Sequence, residues 1–301
     1  MLWNKLYIQY MHSEYGGTLK LLEVKNLCKD YGSFALRDVS FTLPRGYIMG
    51  FIGMNGAGKS TTLKSILNIV RPDSGSVHIF GKDMATDELE IKQKVSFTLG
   101  AFDYYPNAAL CKIADVYRKF YREWSGDAYR GYLDTFGLDE KKKVRELSAG
   151  MKVKFALALA LSHNAELFLF DEPTSGLDPI ARNELLDIFQ SIVEDGQKSI
   201  LFSTHITSDL DKCADYIVFI REGNIIAEST KDDLIANHAL LAGRKADLTE
   251  DLKARLISYK AHGLGFTGLI RRADLRPGDA PEISAPNLED IMVYYNREER
   301  K

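Results

Sequence analysis

The feature that most constrains the fold is a stretch of glycines, a lysine and two hydroxyl residues, GMNGAGKST, at residues 53–61. An apolar run too uniform for a half-exposed strand, YIMGFI, precedes it, and a segment with helical spacing, TTLKSILNIV, follows it. The stretch matches the pattern G-x-x-x-x-G-K-[ST], in which glycines let backbone N–H groups curl around phosphate oxygens. A strand, such a loop and a helix in succession predict a phosphate-binding site in an α/β core.

Each position of the stretch has an expected part in binding a nucleotide. Lys59 is expected to reach the terminal phosphates, and Ser60 to offer its hydroxyl to Mg2+. The positive end of the following helix adds to the attraction for an anion. The predicted cofactor-binding residues here are Gly53, Met54, Asn55, Gly56, Ala57, Gly58, Lys59, Ser60 and Thr61.

A second motif, LFLFDEP at residues 167–173, reads as a buried strand that delivers two carboxylates at its end. On its own, such an Asp-Glu pair is more often part of a solvated loop. Beside a phosphate loop, Asp171 is expected to hold Mg2+ through its water shell, while Glu172 orients and deprotonates an attacking water. The two motifs together predict hydrolysis of a bound nucleotide.

Composition excludes several other classes. The net charge is only -3, so the chain lacks the strongly basic balance of a nucleic-acid binder. Its three cysteines lie far apart without C-x-x-C spacing, which argues against zinc and a secreted disulfide framework and favours a reducing cytosol. The best apolar run, VKFALALAL, is shorter than the roughly 20 residues of a membrane span. Residues 1–18 are interpreted as an extension and not as a signal peptide.

The remaining pattern alternates between strands and helices. Two strands are expected from residue 19 to residue 46, with a turn at Gly32, and the helix after the phosphate loop is expected to stop at Pro72. Residues from about 101 to 150 have helical spacing and are interpreted as an insertion in the α/β core.

The pattern changes again towards the C-terminus. A hairpin is expected to turn at Gly223 and Asn224, and from about Thr230 the pattern weakens. A second small hairpin is expected around residues 263–265, and PNLEDIMVYYNREERK, residues 286–301, is expected to form an amphipathic helix with a charged tail. The sequence shows no internal repeat.

The discriminating segment is LSAGMKVKFALALAL, which begins at Leu147 and precedes DEPTSGLD. The order of phosphate loop, LSAGM, DEP, SGLD and STH resembles the ATP-binding subunit of an ABC transporter. The usual signature of that family reads LSGGQ, so Leu147, Ser148 and Gly150 match whereas Ala149 and Met151 depart from it.

This resemblance covers roughly residues 19–228 and implies the fold. It implies an α/β P-loop NTPase core, with a RecA-like sheet flanked by helices, an antiparallel β part and an α-helical subdomain at about 101–150. We therefore expect an N-terminal extension at 1–18, a cassette at 19–230 and a small C-terminal appendage at 231–301.

The resemblance also implies roles for residues outside the two motifs. Ser148 and Gly150 would face the γ-phosphate bound by a second subunit, although the residues alone indicate only a helix N-cap. Tyr31 would stack on adenine, the alternative being an ordinary core tyrosine. His205 would contact the γ-phosphate, the alternative being a helix-start histidine without function. The SGLD segment, Ser175 to Asp178, would pass between subunits, whereas taken alone it is a turn.

One expected residue is missing. After the strand KVSFTLG the family commonly has a glutamine that binds Mg2+ and senses the membrane subunit, but Gly100 occupies that position, with Asp103 close behind. Glycine has no side chain to coordinate metal, so water, Asp103 or another polar group would have to compensate, or hydrolysis would be slow.

The resemblance implies an ATP-hydrolysing subunit with ATP and Mg2+ as cofactors, integral-membrane permease partners and a second cassette, and no nucleic acid. Such a subunit would lie in the cytoplasm against the inner face of the membrane and would power export, often of a drug or peptide antibiotic. One alternative is a soluble ABC ATPase acting on DNA or the ribosome, but the heptad insertion and the duplicated cassette of those proteins are absent from the sequence. A phosphate-loop kinase is a second alternative, which the signature and the Asp171-Glu172 pair oppose.

Overall fold

The computed structural model describes residues 20–99 and 105–297 of the chain. Its centre is a six-stranded sheet in the order β10-β9-β3-β8-β7-β6, parallel except where β10 pairs antiparallel with β9. Every residue of β3, β7 and β8 is buried, as expected for strands covered on both faces. The strands are β3 Ile48–Ile52, β6 Val95–Leu99, β7 Leu167–Asp171, β8 Ser199–Thr204, β9 Tyr216–Arg221 and β10 Asn224–Thr230.

A second, antiparallel sheet has the order β2-β1-β4-β5. The predicted pair of strands and the turn at Gly32, whose φ is 80°, are confirmed. This sheet and one face of the central sheet enclose a common core, in which Phe41 contacts Phe51 with ring centroids 5.5 Å apart. The strands are β1 Lys20–Asp30, β2 Ala35–Pro44, β4 Ser74–Ile79 and β5 Lys82–Asp83. The mixed sheets with helices confirm the α/β class.

Among the described residues, seven α-helices lie in the same part of the chain as these two sheets. Helices α3, α4 and α5 share a separate cluster that includes Leu110, Leu133 and Phe155, while Leu157 of α5 packs in the core of the central sheet. The helical spacing seen from 101 to 150 is therefore confirmed within the described residues. The helices are α1 Lys59–Ile66, α2 Glu88–Lys92, α3 Leu110–Phe120, α4 Gly126–Phe136, α5 Ala149–Ser162, α6 Pro179–Val193 and α7 Thr207–Cys213.

The helix after the phosphate loop is shorter than expected. It ends at Ile66 and not at Pro72, because Asn68 takes up a left-handed conformation with φ 55°. The N–H of Asn68 then donates to Ser65 O at 3.1 Å and that of Ile69 to Lys64 O at 2.9 Å. These two bonds form a Schellman cap, which stops a helix without proline.

The hairpin between β9 and β10 turns one residue earlier than expected. Arg221 pairs directly with Asn224, so the turn residues are Glu222 and Gly223 and not Gly223 and Asn224. Both have positive φ, 49° and 77°, as the tight turn that matches strand twist requires. The glutamate gave no sign of this conformation in the sequence.

The chain ends in a third sheet, in the order β12-β13-β11-β14, with all pairs antiparallel. The expected hairpin around Gly263 is confirmed, whereas β11 and β14 were not foreseen. The C-terminal helix is confirmed from Leu288 to Tyr295, and the end of its expected charged tail, residues 298–301, lies outside the described residues. Tyr295 Oη bonds His238 Nε2 at 2.9 Å, and its ring lies 5.6 Å from that of Phe219, so the last helix packs on the central sheet. The elements are α8 Lys231–Ala236, β11 His238–Arg244, α9 Glu250–Arg255, β12 Ser258–His262, β13 Gly265–Arg271, β14 Glu282–Ser284 and α10 Leu288–Tyr295.

Candidate functional site

The phosphate loop joins the end of β3 to the start of α1, and its glycines are required for two reasons. Gly56 and Gly58 have φ of 81° and 114°, where a side chain is strained. A Cβ on Gly53 would lie 2.5 Å from Ile220 O, and one on Gly58 would lie 2.7 Å from Leu36 Cδ2. Packing therefore requires glycine at 53, the backbone turn requires it at 56, and both require it at 58.

The loop is anchored from behind by the β9–β10 hairpin. The N–H of Gly223 donates to Ala57 O at 2.9 Å, and Gly223 O accepts from the N–H of Arg37 at 2.8 Å. A Cβ on Gly223 would lie only 1.8 Å from Ala35 O. One glycine thus holds the phosphate loop, the hairpin and strand β2 in contact.

Lys59 lies across the mouth of the loop. Its Nζ donates to Gly53 O at 2.7 Å and to Met54 O at 3.2 Å, and it lies 3.2 Å from Glu172 Oε1. The hydroxyl of Thr62 donates a hydrogen bond to Gly58 O and is not available to a ligand. Ser60 and Thr61 are half-buried at the start of the helix. An ammonium group, free backbone N–H groups and two hydroxyls therefore share one concave surface that suits an anion.

The two carboxylates at the end of β7 have different partners. Asp171 is buried and accepts from Ser203 Oγ on β8 at 2.5 Å. Glu172 has a φ of 52°, which is unusual for a residue with a side chain, and its N–H donates to Ser203 O at 3.1 Å. This sharp turn separates the side chains, so one carboxylate is fixed in the sheet edge and the other is free to approach the loop.

Glu172 connects three elements. Its Oε1 lies 3.2 Å from Lys59 Nζ, and its Oε2 lies 2.7 Å from His205 Nδ1, just beyond the end of β8. Since β7 and β8 are parallel neighbours, their carboxyl ends place the glutamate and the histidine at one edge of the sheet. The structure therefore brings together three residues singled out from separate parts of the sequence.

A buried network beside this trio was not anticipated. Asp209 on α7 is only 1% exposed, accepts from Thr174 Oγ1 at 2.6 Å and lies 3.4 Å from Arg182 Nε on α6. Burial raises the pKa of Asp209, although the Thr174 hydroxyl and the Arg182 charge oppose the rise. The sequence held only a weak signal for this network. Asp209 lies one turn before Cys213, which is buried, so both residues lie on the inner face of a short helix.

Comparison with known proteins identifies the family. A profile described as ABC transporter matches residues 36–175. The chain is 32% identical over 217 residues to the bacitracin transport ATP-binding protein BcrA of Bacillus licheniformis, with 71% of each chain covered. The chain belongs to the ABC transporter family. It is also 29% identical over 290 residues to the ABC transporter ATP-binding protein YtrB of Bacillus subtilis (strain 168), covering 91% of this chain and 97% of that one.

A solved structure of an ABC transporter ATP-binding subunit agrees in fold. It superposes with a TM-score of 0.65 and 31% identity, covering 72% of this chain and 92% of that chain. Within residues 20–99 and 105–297, no helix combines the length and the apolar character that crossing a bilayer requires.

Tyr31, which in ABC subunits would stack on adenine, lies in the β1–β2 turn and is 52% exposed. It is therefore not a core tyrosine. Its N–H donates to Phe34 O at 2.9 Å, and the ring of Phe34 comes within 3.0 Å of the Cβ position at Gly58. The turn that presents Tyr31 thus packs against the phosphate loop, and the exposed ring is accessible to a ligand.

The ABC signature segment begins helix α5. Ser148 is its N-cap, with Oγ accepting from the N–H of Met151 at 3.3 Å, and a Cβ on Gly150 would lie 3.3 Å from Ala181 Cβ on α6. Ser148 is exposed, and among the described residues no hydrogen bond joins it to the phosphate loop. One copy of the chain therefore does not bring the two motifs together. Gly100 and Asp103, at the position of the family's glutamine, lie outside the described residues.

Proposed function

We propose that this ABC subunit binds Mg2+-ATP in the loop at residues 53–61 and hydrolyses it, with Glu172 as the general base. The observation that carries the proposal is the position of Glu172 between Lys59 and His205. A carboxylate held 2.7 Å from an imidazole ring is oriented by that contact. Its other oxygen lies at the mouth of the phosphate loop, where an attacking water would have to stand.

The donor set fits magnesium that is held mainly by phosphate and water. Within the described residues there is no cluster of three or more His, Cys, Asp or Glu side chains that could bind a metal alone. Mg2+ keeps several waters and takes one or two protein oxygens beside nucleotide phosphates, and Ser60 and Asp171 offer these. When bound, the ion would neutralise charge on the phosphates.

The chain's own residues would divide the remaining work. Lys59 would neutralise the terminal phosphates, and Tyr31 would stack on the adenine, a contact worth roughly 1 to 3 kcal/mol by analogy with base stacking. Glu172 would accept the proton of the attacking water. His205 would fix the rotamer of Glu172 and contact the γ-phosphate.

A second copy would complete the site. Ser148 is exposed at the N-terminus of α5, where a hydroxyl and free N–H groups suit an anion, but its hydroxyl bonds only its own helix. We propose that Ser148 and Gly150 of one subunit face the γ-phosphate held by the other, as a homodimer or a heterodimer. ATP would then stabilise the closed pair by mass action, and hydrolysis would release it.

Exposed apolar residues favour a membrane partner. Leu89 on α2 is 85% exposed and Phe120 at the end of α3 is 71% exposed. The side chain of Gln93 ties the two helices, with Nε2 donating to Phe120 O at 3.0 Å. We propose that this surface receives permease subunits, which would place the chain in the cytoplasm against the inner face of the membrane. The names of the relatives, bacitracin and lantibiotic transport proteins, favour export of a drug or peptide antibiotic.

The domain division expected from the sequence is retained in this proposal: an extension at 1–18, a cassette at 19–230 with its helical part at about 101–150, and an appendage at 231–301.

Phosphate transfer to water distinguishes this proposal from a kinase. Purified chain is incubated with Mg2+-ATP in 18O-labelled water, and released phosphate is analysed by mass spectrometry. Incorporation of one label per phosphate is expected. Transfer of phosphate to another acceptor, or the absence of phosphate release from chain that binds ATP, would reject hydrolysis.

Purification of the chain from native membranes tests the proposed partner. Permease subunits are expected to purify with it, and ribosomes or DNA in their place would contradict a role in transport.

A further inference from the structure

A large cleft borders the phosphate loop on the side of the C-terminal sheet. Its volume is about 1040 Å³, and it lies between the loop residues 54–57, the β9–β10 hairpin and the C-terminal residues 295–297. Neither Glu172 nor His205 lines it. The cleft is therefore adjacent to the proposed ATP site without containing its catalytic residues.

Among the described residues, the charged side chains that line this cleft are mostly cationic. Arg221, Arg271 and Arg297 line it from three separate segments, and Glu222 is the single carboxylate among these described lining residues. In the described part of the chain, no carboxylate lies within ion-pair distance of any of the three guanidinium groups. Like charges brought together in one concavity repel one another unless an anion enters.

The bonds that these arginines do make fix two of them in place. Arg221 Nη1 donates to Tyr295 O, and Arg297 Nη1 donates to Tyr259 O at 3.3 Å while its guanidinium lies 5.5 Å from the ring of Tyr294. Carbonyl oxygens and a ring do not neutralise the charge, so the remaining N–H groups can still pair with phosphate or carboxylate oxygens. Arg271 is exposed.

We propose that the cleft is a binding site for a small anion that carries two or more phosphate or carboxylate groups. Guanidinium groups on separate segments match such a ligand because each can form paired N–H···O bonds with one anionic group. The apolar residues Ile225, Ile226 and Ile257 form another part of the wall and suit an organic body.

The site is coupled to the phosphate loop through the hairpin. Arg221 and Glu222 immediately precede Gly223, whose N–H donates to Ala57 O at 2.9 Å. An anion that moves Arg221 would therefore also move the phosphate loop and change its affinity for ATP. By thermodynamic linkage, ATP would change the affinity for the anion by the same factor. This coupling rests on the proposed function, whereas the anion site itself does not.

Calorimetry with inorganic pyrophosphate tests the site. Full-length chain carrying Lys59→Ala, which removes the ammonium group of the phosphate loop, is titrated with pyrophosphate in buffer without ATP or Mg2+. One pyrophosphate per chain is expected to bind. Arg271→Gln with Arg297→Gln is expected to weaken that binding at least tenfold, whereas Arg272→Gln, an exposed neighbour outside the cleft, is expected to leave it unchanged.

Two further results complete the test. Arg271→Gln alone is expected to weaken binding several-fold, which guards against a folding defect in the double variant. The Lys59→Ala chain is itself expected to have lost ATP binding at the phosphate loop, so the pyrophosphate that it binds is assigned to the cleft. Absence of pyrophosphate binding in the Lys59→Ala chain, or equal binding when Arg271→Gln and Arg297→Gln are added to it, would overturn the proposal. None of these results bears on hydrolysis, so the two proposals fail separately.

Discussion

Thr174 Oγ1 donates a 2.6 Å hydrogen bond to Asp209 Oδ2 in the interior of the protein. Thr174 lies two residues after Glu172, and Asp209 lies four residues after His205. The bond therefore joins the same two segments as the 2.7 Å contact between Glu172 and His205. We infer that it holds the separation between the proposed base and the histidine that orients it.

Thr174→Val is expected to disturb this separation. Valine has nearly the same shape but no donor, so a buried carboxylate oxygen loses its partner at a cost of about 1 to 3 kcal/mol in the free energy of unfolding. Turnover is expected to fall while ATP affinity stays unchanged. Denaturant unfolding and steady-state kinetics measure both, with Thr135→Val on the exposed face of α4 as the control.

A second measurement separates positioning from general destabilisation. In the variant that combines Thr174→Val with His205→Ala, the losses of turnover are expected not to add, because both changes act on Glu172. Full additivity would show that the Thr174 bond does not act through the contact between Glu172 and His205.

Gly223→Ala is expected to damage the phosphate loop from behind. The new Cβ would lie 1.8 Å from Ala35 O, so the hairpin would have to move and the bond to Ala57 would be lost. Gly263→Ala is the matched control: it is also a hairpin glycine with positive φ, 42°, but nothing lies within 4 Å of its Cβ position. We expect the control to lower the free energy of unfolding by about 1 kcal/mol and to leave ATP affinity unchanged. Gly223→Ala is expected to lower the free energy of unfolding by much more and also to weaken ATP binding. Equal effects in thermal unfolding and ATP titration would refute the anchoring role.

His163 is expected to make the fold sensitive to acid. It is buried against Tyr121, with ring centroids 3.7 Å apart, and burial lowers its pKa from 6.5 to about 4. Because the unfolded chain takes up a proton below 6.5 and the folded chain does not, stability is expected to fall as pH drops from 6.5 towards 4. The slope from this group is at most about 1.4 kcal/mol per pH unit.

Denaturant unfolding as a function of pH checks this expectation. His163→Phe keeps an aromatic ring against Tyr121 and removes the titration, so its stability is expected to depend less on pH in that window. His262→Gln, which changes an exposed histidine of β12, is expected to behave as the unaltered chain does. An unchanged pH dependence in His163→Phe would count against a buried neutral histidine.

Ser148 and Ser125 provide a matched pair for the proposed second subunit. Both are helix N-caps, with Oγ accepting an N–H from Met151 at 3.3 Å and from Ala128 at 3.2 Å. Alanine at either position is expected to cost about 1 kcal/mol of stability. Only Ser148→Ala is expected to weaken ATP-dependent dimerisation and to lower turnover. The expected fall in turnover is roughly tenfold, because this variant loses a hydrogen bond to the charged γ-phosphate. Sedimentation with and without ATP measures this, and equal behaviour of the two variants would argue against a shared site.

The sequence predicted those parts of the site that depend on local pattern. The loop at residues 53–61 and the end of the DEP strand could be recognised because strand, glycine loop and helix follow one another along the chain. The contact of Glu172 with both Lys59 and His205 depends on the order of strands in the sheet. That order was expected only through the resemblance to ABC subunits.

What the sequence did not reveal depended on distant contacts or on unusual backbone. The left-handed Asn68 ended α1 early, and the positive φ of Glu222 moved the hairpin turn. The bond between Thr174 and Asp209 joins residues whose side chains have no local signature. Strand β14 is fully exposed, so it lacks the alternation of apolar and polar residues that indicates a strand.

The most direct test of the account is ATP hydrolysis by Glu172→Gln. Glutamine keeps the shape of the side chain but cannot accept the proton of water, so turnover is expected to fall about 100-fold or more while ATP affinity is retained. Phosphate release and equilibrium ATP binding are measured on the same preparation. Accumulation of ATP-bound dimers with little phosphate released is the predicted result, and full turnover in this variant would contradict the role assigned to Glu172.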